Sequence, residues 1–135
     1  MGISVYLQPV HEATPAGEQV DIDTSWFDLA EGLGGLGLDG EFIVLGSISD
    51  ASEDDGAGDG GVCEGWLDPE EVQANWDRLR AVAFERYLAA YRKTPLGKDR
   101  GDPGLDDYLR AHFTTLKDVY RTAAAAGAGL RITAW

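Results

Sequence analysis

The chain reads as an α+β fold, a small mixed sheet with two long C-terminal helices and one short N-terminal helix packed on it. Three observations predict this. Alternating or β-branched runs stand near both ends and in the middle, at residues 3–8, 42–48 and 130–134. Apolar residues at helical spacing fill three other segments, around residues 24–33, 69–91 and 105–125. The resulting order, β-α-β-α-α-β, does not alternate strictly enough for a parallel α/β sheet.

Ile3, Val5 and Leu7 alternate with Ser4, Tyr6 and Gln8, the pattern of a half-buried strand that Pro9 should end. Residues 10–20 then read as a polar connection. Thr24 is placed to cap a short helix in which Trp26, Leu29, Ala30 and Leu33 share one face, and Gly32, Gly34 and Gly35 should stop it. Residues 42–48 (FIVLGSI) predict an interior strand. Residues 49–61 are small, acidic and glycine-rich, and predict a mobile surface loop.

The clearest local signal is Asp68-Pro69-Glu70-Glu71. Asp68 caps, Pro69 takes the first helical position where a missing N–H is harmless, and Glu71 closes a capping box. Val72, Trp76, Leu79, Ala83, Tyr87 and Ala90 continue the helical spacing to about Tyr91, and Thr94-Pro95 should end that helix. After a loop at 96–104, Leu105, Leu109, Phe113, Leu116, Tyr120 and Ala123 form the inward stripe of the last helix. Gly127 is its natural terminator, and Leu130, Ile132 and Ala134 alternate as a final strand.

A length of 135 residues fits a single domain over 1–135. The opening MGISVYLQPV lacks the basic and apolar regions of a signal peptide, and the lone Cys63 can form no internal disulfide, so a cytoplasmic location is expected. The net charge of −13 is unevenly spread. Residues 1–77 hold 18 acidic and no basic side chains; residues 78–135 hold 6 acidic and 11 basic ones. Two readings follow: the basic helices fold over the acidic segments and neutralise them, or the acidic half is presented to a partner. Nucleic acid is disfavoured as that partner because phosphate contacts need clustered Lys and Arg, and an acidic chain is repelled by anionic lipid.

No cofactor or metal site stands out. Gly32-Leu33-Gly34-Gly35-Leu36-Gly37 matches a dinucleotide fingerprint in letters, but it follows a helix and precedes a strand, the reverse of the order that puts amides around a pyrophosphate. An EF-hand register from Asp50 puts Asp55 where Gly is needed and Gly61 where the bidentate Glu belongs. Cys63 lies among Asp59, Glu64 and Asp68, which disfavour a thiolate, and neither His112 nor His11 has clustered metal-binding neighbours.

The run YLRAHFTTLKDVYRTAAAAGAGLRITAW (residues 108–135), the segment WLDPEEV (66–72), DIDTSWFDLAEGL (21–33) and the opening MGISVYL together resemble the YfbM-like family of bacterial domains of unknown function. The resemblance implies a fold and no reaction. The family pattern carries a helix after the first strand and a Lys and histidines around the tryptophan, where this chain has a short Pro-interrupted segment and Ser25, Phe27 and Ala30.

The preferred expectation is therefore a non-enzymatic acidic domain that engages a basic protein partner or another copy of itself. Asp54, Asp55 and Asp59 of the acidic loop are its candidate binding residues, with Trp66 and Trp135 as aromatic anchors. The alternative is a small-molecule enzyme whose cleft is lined by Asp21, Asp23 or the pair Asp106 and Asp107.

Overall fold

The computed structural model describes residues 4–12, 14–23, 25–48, 63–99 and 103–134. Along them run β1 (Val5–His11), β2 (Thr14–Pro15), β3 (Val20–Asp23), α1 (Trp26–Gly35), α2 (Gly40–Leu45), β4 (Ser47–Ile48) and β5 (Cys63–Leu67). Then come α3 (Pro69–Leu79), α4 (Phe84–Lys93), α5 (Pro95–Asp99), α6 (Leu105–Ala126) and β6 (Gly129–Ala134). The sheet order is β2-β1-β6-β5-β4, with β3 also paired to β1. The α+β class holds, and every described strand pair is antiparallel, a narrower arrangement than the mixed sheet expected.

Several elements differ from the sequence reading, each for a physical reason. Pro9 does not end β1. Its missing N–H falls on the side where β1 passes from β3 to β2, and its carbonyl there still accepts the Ala16 N–H at 2.8 Å. Residues 42–48 form not a strand but most of α2 and then β4. Asp39 accepts the Phe42 N–H at 3.2 Å and starts the helix, and an apolar run this short cannot by itself distinguish helix from strand. The helix foreseen over 69–91 is two helices. No Gly or Pro lies between Arg80 and Ala83. The break instead lets Val82 and Phe84 turn inward, while Ala83, expected inside, is exposed. Lys117 Nζ fixes the turn by donating to the Val82 carbonyl at 2.8 Å. Thr94-Pro95 ends α4 as foreseen but also starts α5, since Thr94 Oγ1 accepts the Gly97 N–H at 3.0 Å. The loop at 49–61 and the expected cap Thr24 lie outside the described residues; the N-cap position of α1 is Ser25.

The capping box at Asp68 is as predicted: the Asp68 N–H donates to Glu71 Oε1 at 2.8 Å. The whole predicted stripe of α6 is buried. It meets the inward face of the sheet, where Val5, Leu7, Leu67, Leu130 and Ile132 are all shielded from water. Helices α3 and α6 lie against the strands, whereas α1 packs chiefly on α4 and α2. At the centre the Tyr120 hydroxyl accepts from Asn75 Nδ2 at 3.1 Å and donates to the Ile43 carbonyl at 2.5 Å, tying α6 to α3 and α2. Among the described residues no helix is long and apolar enough to cross a membrane.

Burial raises the Tyr120 hydroxyl far above its ordinary value of 10.0, opposed by the Asn75 hydrogen bond and reinforced by Glu71. Burial, then Asp28 and Tyr91, raise Tyr87 likewise. The unfolded chain loses these protons above about pH 10 while the folded chain keeps them. The stabilisation is thus complete below that pH and is lost as pH rises beyond it, by up to about 1.4 kcal/mol per pH unit for each group. In a 295 nm titration, at least two of the five tyrosines should ionise only together with loss of the far-ultraviolet circular dichroism signal. Ionisation of all five with the fold intact would contradict this packing.

Candidate functional site

Helix α1 is held from its inner side. Ser25 Oγ donates to the Ile22 carbonyl at 2.5 Å where β3 leads into the helix. One turn on, Asp28 is only 3% exposed. Its carboxylate accepts the Tyr91 hydroxyl at 2.6 Å, and its carbonyl accepts the Tyr87 hydroxyl at 2.8 Å. A buried carboxylate is costly unless hydrogen-bonded, so these two donors fix how α1 lies on α4. Tyr87 stacks in turn on Phe113 of α6, with centroids 5.0 Å apart. Gly32 makes the fit possible, because a Cβ there would lie 2.2 Å from Tyr87 Cε1.

With its inner face committed, α1 turns the opposite side outward. Phe27, 53% exposed, is the one large apolar side chain exposed among the described residues. It meets half-buried Trp26 edge to face, with centroids 5.3 Å apart and ring planes at 70°. Helix α2 approaches closely because Gly40 lies against the Ala30 carbonyl, where a Cβ would come within 2.1 Å of the oxygen. Between the two helices lies an open cavity of 310 Å³, at the lower end of ligand-site volumes. Trp26, Phe27 and Leu38 supply apolar walls, and Glu31, Asp39 and Glu41 supply carboxylates. Among the described residues no Lys or Arg lines it.

The electrostatics follow from the uneven sequence. The described ion pairs, Arg92–Asp106, Arg110–Glu85 and Arg121–Asp118, all join residues beyond 84. Among the described residues no ion pair reaches a carboxylate of the first 77 positions. A second cavity, of 440 Å³, opens between the end of α1 and α4, lined by Leu36, Ala89, Ala90, Arg86 and Lys93. Its two cations face the C-terminal end of α1, which has no basic residue in its own last turn, and so complement that end of the helix dipole.

Of the residues predicted from sequence, the structure describes Trp66, Asp21, Asp23, Asp106 and Asp107. Asp54, Asp55, Asp59 and Trp135 lie outside the described residues. Trp66 is in β5 and serves the sheet: its indole N–H donates to Asp68 Oδ1 at 2.6 Å, and its ring covers Gly129. Asp21 Oδ1 accepts the Asp23 N–H at 2.6 Å, and Asp23 has a left-handed φ of 54°. The Asp23 carboxylate accepts from Ser4 Oγ at 3.3 Å and from the Tyr108 hydroxyl at 3.4 Å, which joins the end of β3 to the first turn of α6. Asp106 is paired with Arg92 and Asp107 is exposed. None of these four aspartates lines either cavity. His112 packs edge to face on Tyr108, and its Nδ1 is buried without a hydrogen-bond partner among the described residues. The same residues include no group of three or more His, Cys, Asp or Glu that could hold a metal ion.

Trp26, expected on the apolar stripe, is half-buried, and Phe27 stands exposed beside it. The signal was present: Phe27 falls off the stripe of Trp26, Leu29, Ala30 and Leu33, which puts a large ring on the polar side of the helix.

A family model described as a domain of unknown function, DUF1877, matches residues 4–133. The chain belongs to this family. A search of curated proteins finds no match. Among solved structures the chain is similar to YfbM from Escherichia coli, a protein of unknown function, with a TM-score of 0.64 over 98% of this chain and 99% of that one. At 16% identity the likeness speaks for a shared fold and for nothing about side-chain chemistry. The resemblance to a YfbM-like domain is thereby confirmed.

Two glycines in α1 should respond oppositely to the same change. Gly32→Ala drives a methyl into Tyr87 and should cost about 1–3 kcal/mol in urea unfolding. Gly34→Ala meets open space and should stabilise by up to about 1 kcal/mol, the usual gain in a helix. Equal effects of the two substitutions would contradict the clamp on α1.

Proposed function

We propose that this DUF1877 domain is a non-enzymatic binding module whose acidic half docks a basic segment of a protein partner, with the α1–α2 cavity as the contact point. The observation that carries the proposal is the pairing of an exposed aromatic ring with three carboxylates that have no ion-pair partner among the described residues. Exposed aromatic residues beside a hollow are typical anchors of interfaces, and unneutralised charge around them steers an oppositely charged partner. Arg92, Arg110 and Arg121 pair instead with acids of the C-terminal half.

The carboxylate-enzyme reading draws less support. The left-handed Asp23 is the kind of strained residue that gathers at reactive sites. Its carboxylate, however, is occupied by Ser4 and Tyr108, and it lines neither cavity.

Affinity capture from native lysate, compared for the wild type, Phe27→Ala and the double variant Glu31→Lys/Glu41→Lys, tests the proposal. A basic partner should be retained stoichiometrically by the wild type and lost by both variants. Its affinity should fall at least about tenfold from 50 to 300 mM salt as the charges are screened. Absence of any partner, or a partner indifferent to both the variants and salt, would overturn the proposal.

A further inference from the structure

The cavity between α1 and α2 has a chemistry narrower than general attraction for positive charge. Trp26 and Phe27 stand as two walls at 70°, with centroids 5.3 Å apart. A cation seated in the corner between them can lie within about 6 Å of both rings, the range in which an aromatic face attracts positive charge. The carboxylates of Glu31, Asp39 and Glu41 add negative potential around the same hollow, and no cation among the described residues lines it. One of the Asp39 oxygens is already committed to the Phe42 amide.

An aromatic corner offers no strong hydrogen-bond acceptor. A primary ammonium set against both rings gives up water on that side, and is compensated only where its N–H groups turn to the carboxylates of Glu31, Asp39 or Glu41. A trimethylammonium group has no N–H to satisfy. Its charge is spread over methyl surfaces that also gain from covering apolar rings. The described residues that line the cavity carry only negative or neutral side chains, so none of them supplies a competing cation.

We infer that the α1–α2 cavity is a binding site for a quaternary ammonium group, held between the rings of Trp26 and Phe27 and balanced by Glu31 and Glu41. The inference rests on the reading of this cavity as the docking site and names the group it takes. Two sources carry that chemistry, a small free quaternary ammonium compound and a trimethylated lysine in a partner protein.

The test is an NMR titration of the full chain with tetramethylammonium chloride, with ammonium chloride at matched concentration as the control. Saturable shifts confined to the amides of residues 26–31 and 38–42, absent with ammonium, are expected. Phe27→Ala should abolish them, and Phe27→Tyr should keep them, which separates a lost ring from a lost fold. Choline and a basic peptide carrying trimethyl-lysine then distinguish the sources, since whichever binds at least about tenfold more tightly is the closer mimic of the ligand. A peptide that binds equally with plain and trimethylated lysine, and loses affinity with Glu31→Lys/Glu41→Lys, would overturn the quaternary ammonium site while leaving the docking reading in place. No shift with any of these cations would overturn the inference and would also remove the cavity from the docking reading.

Discussion

The buried carboxylate of Asp28 is the constraint from which the arrangement of the helices follows. A helix could satisfy its apolar stripe by rolling over a range of angles on a neighbour. A carboxylate that is nearly removed from water cannot, because its acceptors must meet donors at hydrogen-bond distance. Here Tyr91 reaches the side chain and Tyr87 reaches the carbonyl of the same residue, so α1 is pinned in both rotation and height. Gly32 clears the space that Tyr87 occupies, and Phe113 of α6 backs the ring. The same demand accounts for the break after Leu79. A straight helix from Pro69 to Tyr91 would keep the α3 face, with Val72, Asn75 and Leu79, in phase with the α4 face. Separate helices let Phe84, Tyr87 and Tyr91 turn to α1 while Asn75 stays with Tyr120.

Much of this fold was legible from local chemistry. The capping residues at Asp68 and Glu71, the stripe of α6, the glycine after it and the last strand were all written in short-range spacing, and they form as read. What was not legible depends on distant partners. Residues 42–45 are apolar enough for strand or helix, and the choice falls to the Asp39 cap and to Gly40 sitting on the Ala30 carbonyl. Strand β5 contains Gly65 and little β-branched character, yet it pairs because the Leu45 carbonyl passes where a side chain would be. Trp66 shows the same limit at the level of a site. Its indole N–H on Asp68 and its ring over Gly129 are contacts that spacing along the chain does not reveal.

Among the described residues the charge stays as uneven as it is along the sequence. Ion pairs form within the C-terminal half among the described residues, and the carboxylates around Phe27 are left facing the hollow. Exposed carboxylates alone are ordinary, and so is a single exposed ring. Their meeting over a cavity, on the outward side of a helix whose inward side is fixed by hydrogen bonds, gives the acidic half a shape as well as a sign. Membership of the DUF1877 family supplies the frame on which this sits, and the shared fold with YfbM carries no activity across.

Native-state amide hydrogen exchange of the wild type and Tyr91→Phe tests most directly whether the inward anchor of α1 positions its outward face. Losing one donor to the buried carboxylate should speed exchange along residues 26–45 by about tenfold or more, while the amides of α6 and of the paired strands β1 and β6 keep their protection. Unchanged protection in α1, or an equal loss across α6 and the sheet, would show that the Asp28–Tyr91 contact does not set the position of the helix.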